Sequence, residues 1–307
     1  MEFLTNLMSQ AFRMSTPLMF GAVAEVYTER TGVMMTAVEG VFLAGAFGGL
    51  VGAYLTGSLA TGILIAIMSG VAVAALHGFI CIYLKQHQVV TGTAIAILFA
   101  GICAFLFRVI FGVPLTPITV APLANIPIPF LSKIPFFGSV LFNQNILTYA
   151  IYVILPIAYF VLFKTSLGLT IRSAGENPEA VDVAGINVNR VRFLTVLFAG
   201  AMGGVAGAFY SIGFLGMYTD SIIGGRGWIA FAICFLGNWD PRGVFIGGIV
   251  FGFAEAFAIS MQSAGEGSIF PNELFIALPY ILTIVLAIVR KSYNIPAKLG
   301  VPYGTEK

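Results

Sequence analysis

Long apolar runs alternate with short polar breaks along this chain, and the runs have the length of membrane spans rather than of core strands. A span needs about 20 apolar residues to cross a hydrocarbon layer of about 30 Å. Such segments cover residues 3–27, 34–58, 61–84, 89–111, 143–164, 191–213, 226–238, 243–262 and 271–290. Nine transmembrane helices are therefore expected, within a range of eight to ten, in a single domain over residues 1–307. Two breaks stand out. Residues 112–140 are studded with prolines, which exclude a continuous helix and predict an ordered external loop. Residues 165–190 hold "IRSAGENPEAVDVAGI", which packs Arg172, Glu176, Glu179 and Asp182 into sixteen positions.

Composition sharpens this picture. Hydrophobic residues make up 59% of the 307 and charged residues 9%, against roughly 45–50% and about 25% in soluble domains. The 36 glycines suit closely packed transmembrane helices. The alternating ten-residue segments of an outer-membrane barrel are missing, so the fold class is an all-α polytopic membrane protein. A net charge of +2 without a basic stripe argues against a nucleic-acid partner. Cys81, Cys103 and Cys234 lie in apolar runs without metal-ligand spacing, and the N-terminus opens on an acid, unlike a signal peptide.

Basic residues set the orientation. With loops alternating sides, Arg30, Lys85, Lys164, Arg172, Arg190, Arg192, Arg242, Arg290, Lys291, Lys298 and Lys307 share one side, leaving Arg13, Arg108, Lys133 and Arg226. Eleven against four assigns the first side, with the C-terminus and the acidic segment, to the cytosol. Two glycine-rich stretches, "AGAFGGLVGAY" (44–54) and "AGAMGGVAGAF" (199–209), match at seven of eleven positions. Both run the same way through the membrane, so they are read as two independently glycine-packed helices and not as an inverted repeat.

The acidic segment is a short helix with both ends specified, over residues 177–185. Asn177 is a suitable N-cap, and Pro178 takes the first helical position, where a missing N–H costs nothing. Glu179 complements the positive end of the dipole, and Gly185 can adopt the left-handed conformation that closes the helix. Two turns are unstable alone, and the polar face does not belong in lipid. A soluble partner should cover it.

These residues carry a resemblance. Over 168–192 the chain is similar to the coupling-helix loop of bacterial ABC importer permeases, and more narrowly to the ribose and nucleoside branch. Gly168, Arg172, Gly175, Asn177, Pro178, Ala180, Gly185 and Ile186 match its G-x-x-x-R-x-x-G-x-N-P-x-A-A-x-x-x-G-I pattern, with Val181 in place of the second alanine. "ERTGVMMTAVEG" (29–40), "QVVTG" (88–92) and "GGRGWIAFAICFLGNWDPRG" (224–243) also resemble segments of the nucleoside permeases. The resemblance implies a type II-like importer half in a bacterial inner membrane. A second permease, here expected to be a different chain, completes the pathway. A cytosolic ABC ATPase docks under the coupling helix, contacting Arg172, Glu176, Asn177, Pro178, Glu179, Ala180, Asp182 and Gly185. An external lipoprotein or periplasmic receptor delivers substrate. ATP and Mg belong to the partner ATPase; no cofactor is expected on this chain, which has no G-x-x-x-x-G-K-[ST] motif and is expected not to be an enzyme.

Ionisable residues in spans are candidate pathway groups. Glu39 could line the pathway, neutralise a base or cap its own helix. Glu255 lies mid-span, with Arg13 a candidate partner, whereas Arg108 can snorkel to the interface. His77 reads as a satisfied interhelical donor. The glycine-rich break at 218–228 offers Asp220, Ser221 and Arg226 as pathway mouth or receptor contacts. Thr91 stands at the serine of the family's Q-V-V-S-G, and Met35 and Ala96 stand where the nucleoside branch carries asparagine, which makes this pathway more apolar. Within the same class, permeases for ribose-like sugars or branched-chain amino acids are the alternatives. A secondary transporter would place paired carboxylates at the midplane, and Glu39 and Glu255 are a thin set for that. No segment resembles a channel filter.

Overall fold

The structure, a computed structural model, describes residues 2–263, 272–290 and 292–304; Lys291, Lys307 and the first position of the ninth expected span lie outside the described residues. The apolar runs form α1 (Glu2–Arg30), α2 (Val38–Thr56), α3 (Leu59–Gly78) and α4 (Gln88–Phe111). After the proline-rich loop come α5 (Phe137–Leu141), α6 (Ile146–Lys164), α7 (Ser166–Glu176), α8 (Pro178–Val183) and α9 (Val188–Ala208). The chain closes with α10 (Arg226–Leu236), α11 (Pro241–Ser263) and α12 (Asn272–Val289). Wider π turns extend α3 over Phe79–Tyr83 and α9 over Phe209–Leu215.

Among the described residues, six helices are long and apolar enough to cross a membrane: Val38–Thr56, Leu59–Tyr83, Gln88–Phe111, Ile146–Lys164, Val188–Leu215 and Pro241–Gln262. The other three expected spans are helical but differ in kind. α1 carries acids in its buried half, α12 has an apolar stretch of only Ala277–Val289, and α10 has eleven residues, which at 1.5 Å each reach only about 16 Å. The chain from Gly216 to Gly225 runs back into the bundle before α10 begins, so α10 starts beside the first turn of α2.

α1 is the axis of the bundle and packs on α9, α10 and α11. Its residues from Met14 to Glu29 are almost all sealed from solvent. Against this axis α2, α3 and α9 form a tight trio. A Cβ on Gly45 would lie 2.5 Å from the carbonyl of Gly204, and one on Gly70 would lie 2.3 Å from that of Gly200. The two matching glycine stretches are therefore packed against each other. Packing is thus their role, as expected. α4 leans on α2 and α3 and leaves most of its surface exposed.

The proline-rich loop is ordered by main-chain bonds. Ile126–Pro127 (β1) pairs antiparallel with Asn143–Gln144 (β2). Val120 N–H donates to Gly216 (2.8 Å), and Leu123 N–H to Ile212 (2.9 Å). The loop thus closes one end of the bundle, and α7 and α8 mark the other.

Gly45→Val and Gly204→Val should each prevent the trio from closing and lower the unfolding temperature in detergent steeply. Gly101→Ala, where an added Cβ meets nothing within 4 Å, should leave that temperature unchanged.

Candidate functional site: a protruding helix and a buried polar cluster

At the α8 end the local sequence builds two short helices in series. Thr165 caps α7, its hydroxyl accepting from Gly168 N–H (3.2 Å). Asn177 caps α8, its Oδ1 accepting from Ala180 N–H (3.0 Å). Gly185 sits at φ +82°, and Ile186 N–H reaches back to the Val181 carbonyl (3.2 Å), so the helix closes in the left-handed manner. Pro178 and Val181 are buried; Val181 packs with Ala174 and Val188 in a satellite core. Glu176, Asn177, Glu179, Ala180, Asp182 and Gly185 are exposed, and Val183 at the tip is 90% exposed. Arg172 differs from the rest: its guanidinium stacks 5.3 Å from the Phe163 ring and belongs to the support of the helix.

Arg192, on the first turns of α9, was not among the candidates. It is 1% exposed and forks to three carbonyls: Nε to Thr31 (2.8 Å), Nη1 to Val301 (3.0 Å) and Nη2 to Ala174 (3.3 Å). One guanidinium thus joins the end of α1, α7 and the C-terminal segment. In sequence it looked like one more positive-side charge, and no local signal separates it from Arg190.

Two further contacts fix the end of α1. Arg30 donates to the carbonyls of Trp239 (3.1 Å) and Asn238 (3.3 Å), both residues at positive φ. Glu29 accepts from the indole N–H of Trp239. One turn earlier Glu25 is fully buried, and its carboxyl faces the main-chain N–H of Met35. Both acids were missed as candidates, although the rule that flagged Glu255 applies to Glu25 as well. Among the described residues, the acids inside the bundle therefore number four rather than two.

A second cluster forms where α10 begins. Glu39 does not cap its own helix: its carboxylate accepts from Gly225 N–H and Gly227 N–H, each at 2.8 Å. Arg226 pairs with Glu255 at 2.9 Å and lies 5.3 Å from the Tyr210 ring. The Tyr280 hydroxyl donates to the Gly224 carbonyl (2.9 Å). Glu255 Oε2 and the Tyr210 hydroxyl remain buried without partners. Glu39, Arg226 and Glu255 are thus brought together, and the suggested pairing of Glu255 with Arg13 is corrected, since Arg13 faces Gln144 (3.5 Å). Asp220 and Ser221 are exposed on the re-entrant segment next to this cluster.

Among the described residues, Met35, Thr91 and Ala96 add no hydrogen bond to this cluster. Met35 is 1% exposed, so it faces no opening. The Ala96 main chain packs against Gly40, where an added Cβ would approach to 2.9 Å. Gln88, in the same stretch as Thr91, accepts from Met34 N–H (2.7 Å). His77 is buried, 3.5 Å from the Gln88 carbonyl through one nitrogen and unpartnered at the other. An apolar cavity of about 900 Å³ between α6 and α11, lined by residues such as Tyr152, Pro156, Phe245 and Ile246, is separate from both clusters.

A buried axis, a re-entrant half-helix and a capped polar helix projecting from one end make up a polytopic helical membrane protein. Residues 7–287 match the family model described as branched-chain amino acid transport system / permease component, and the chain belongs to that family. It is 34% identical to the nucleoside ABC transporter permease protein NupC of Lactococcus lactis, over 94% of this chain and 93% of that one. It is 33% identical to the guanosine ABC transporter permease protein NupQ of Bacillus subtilis, again over 94% and 93%. A provisionally named glucose ABC transporter permease of Haloferax volcanii is 34% identical, over 86% of this chain and 80% of that one. The chain is thus an ABC transporter permease, a transport component.

Removing one partner of the Arg226–Glu255 pair strands the other charge. Arg226→Met or Glu255→Met should each destabilise the protein by about 3 kcal/mol, the low end of the range because Arg226 keeps 29% of its side chain exposed. The double variant should recover a large part of the loss. Unfolding in detergent, read as a double-mutant cycle, checks both statements.

Proposed function

We propose that the chain is the membrane subunit of an ATP-driven nucleoside importer, and that α8 is the element through which a separate cytosolic ATPase drives it. The observation that carries this reading is the exposed, doubly capped α8 on its satellite core. A connector between two spans needs neither caps nor an acidic face with an apolar tip. Closure of the ATPase would push on α8, and the bonds of Arg192 would pass the displacement to the end of α1, a coupling free energy between two sites.

In this reading the α8 end and the C-terminus face the cytosol, in a bacterial inner membrane. The proline-rich loop faces a substrate-binding lipoprotein or periplasmic receptor. ATP and Mg are bound by the ATPase, with no cofactor on this chain. A second permease, of different sequence, completes the pathway. The cluster of Glu39, Arg226 and Glu255, with Asp220 and Ser221 above it, serves as the polar constriction of that pathway. Irregular backbone at membrane depth is tolerated only where it is buried or lines a cavity, and the run from Gly216 to Gly225 fits that description.

The nucleoside assignment is supported by two relatives covering almost all of both chains. The glucose-named relative supports a sugar as the second substrate class. Binding of radiolabelled nucleosides and hexoses to the receptor of the same system separates the two: the nucleoside should bind, and a receptor selective for hexose would reassign the substrate.

Asn177→Leu removes the α8 N-cap, and Gly185→Pro forbids the positive φ that closes the helix. Both variants should insert into the membrane normally and lose most ATP-dependent uptake, while hydrolysis by the assembled complex continues. Unchanged uptake in both would remove α8 from the coupling route.

A further inference from the structure

The last described residues cross the α8 end as a strap. Asn294 N–H donates to Asn238 Oδ1 (2.8 Å), Ala297 N–H to Glu176 Oε2 (3.3 Å) and Lys298 N–H to the Gly175 carbonyl (2.8 Å). Gly300 N–H donates to the Gly32 carbonyl (3.0 Å), the Val301 carbonyl accepts from Arg192, and the Gly304 carbonyl accepts from Lys85 Nζ (2.9 Å). The strap therefore bonds to the α10–α11 turn, α7, the α1–α2 turn, α9 and the α3–α4 turn. It also borders α8: Val301, Pro302 and Tyr303 form a small cleft with Pro178 and Glu179. Partial burial and a hydrogen bond to Asp182 raise the Tyr303 hydroxyl above its ordinary pKa.

We propose that residues 294–304 are the second half of the ATPase-docking surface, so that the partner sits on α8 and the strap together. This rests on the importer reading and extends it from one helix to a composite face. Three observations favour an ATPase subunit as the occupant. The strap is continuous with α8, so a body resting on one meets the other. Apolar side chains stand exposed on both halves of the face, Val183 (90%) and Ile186 (38%) by α8 and Ile295 (54%) and Val301 (36%) on the strap, so one soluble body can cover both. Finally, the main-chain bonds make the strap a plate that spreads a push across five elements, where α8 alone would pass it to α7 and α9.

The test uses inside-out membrane vesicles from cells making the whole importer, with and without its ATPase subunit. Val183→Cys and Val301→Cys are introduced separately and labelled with a membrane-impermeant maleimide; the native cysteines Cys81, Cys103 and Cys234 are all buried. The ATPase is expected to slow labelling at both positions at least fivefold. Protection at Val183 with none at Val301 would overturn the composite surface while leaving the importer reading intact. Protection at neither would remove the docking reading itself, and protection at Val301 alone would show that α8 is not part of the seat.

Discussion

The structure depends on the way the end of α1 is held. Within eight residues, Glu25 to Gly32, α1 loses its helical continuation and meets α7, the start of α9, the α10–α11 turn and the C-terminal strap. Arg30 secures the two left-handed residues of the α10–α11 turn, Glu29 takes the indole of Trp239, and Thr31 receives the guanidinium of Arg192. Gly175 packs so closely that a Cβ there would lie 2.3 Å from the Arg30 carbonyl. Charged groups in low dielectric cost several kcal/mol unless their hydrogen bonds are complete. Arg192 offsets much of that cost by donating from each of its three nitrogens to a carbonyl, and this leaves it little freedom to take another position. A displacement applied to α7 or α8 therefore reaches the bundle axis through bonds rather than through a flexible loop.

The four segments that carried the family resemblance converge on the same region. Glu29 and Arg30 meet Trp239 and Asn238; Glu39 meets Gly225 and Gly227; Met34 meets Gln88; Gly175 meets Arg30. Each contact has a physical reason for its residue type. A carboxylate suits the exposed N–H groups where α10 starts, and glycine is required where two backbones touch. The sequence spacing between these segments is more than 130 residues in some pairs, so only the fold makes them one unit.

Much of this was legible in the chain because its cause is local. The caps of α8 at Asn177, Pro178 and Gly185 are short-range chemistry, and they stand in the structure where they were read. The apolar spans and the proline break follow from transfer energetics and from proline's missing donor. What was not legible depends on three-dimensional neighbours. Arg192 reads as a surface charge until α7 and the C-terminal strap are folded over it. Of the readings open for Glu39, a cap for α2 falls only when the re-entrant segment delivers Gly225 and Gly227. Glu255 finds Arg226 rather than Arg13 for the same reason. Glu25 is a different case, because an acid inside an apolar run is visible in the sequence and the reading passed over it. α10 misled through length: its apolar residues register as a span, while its eleven residues cover half of one.

The central claim is that work enters through α8 from a nucleotide-hydrolysing partner, and its most direct test is uptake by proteoliposomes. The purified permeases are reconstituted with the receptor outside, and labelled nucleoside accumulation is followed with ATPase and ATP inside or with a sodium or proton gradient alone. The account predicts accumulation only when the ATPase and ATP are both present, and none on either gradient. Accumulation on a gradient without the ATPase would contradict it, and would turn attention to the buried Glu25 and Glu29 as the groups that carry the driving ion.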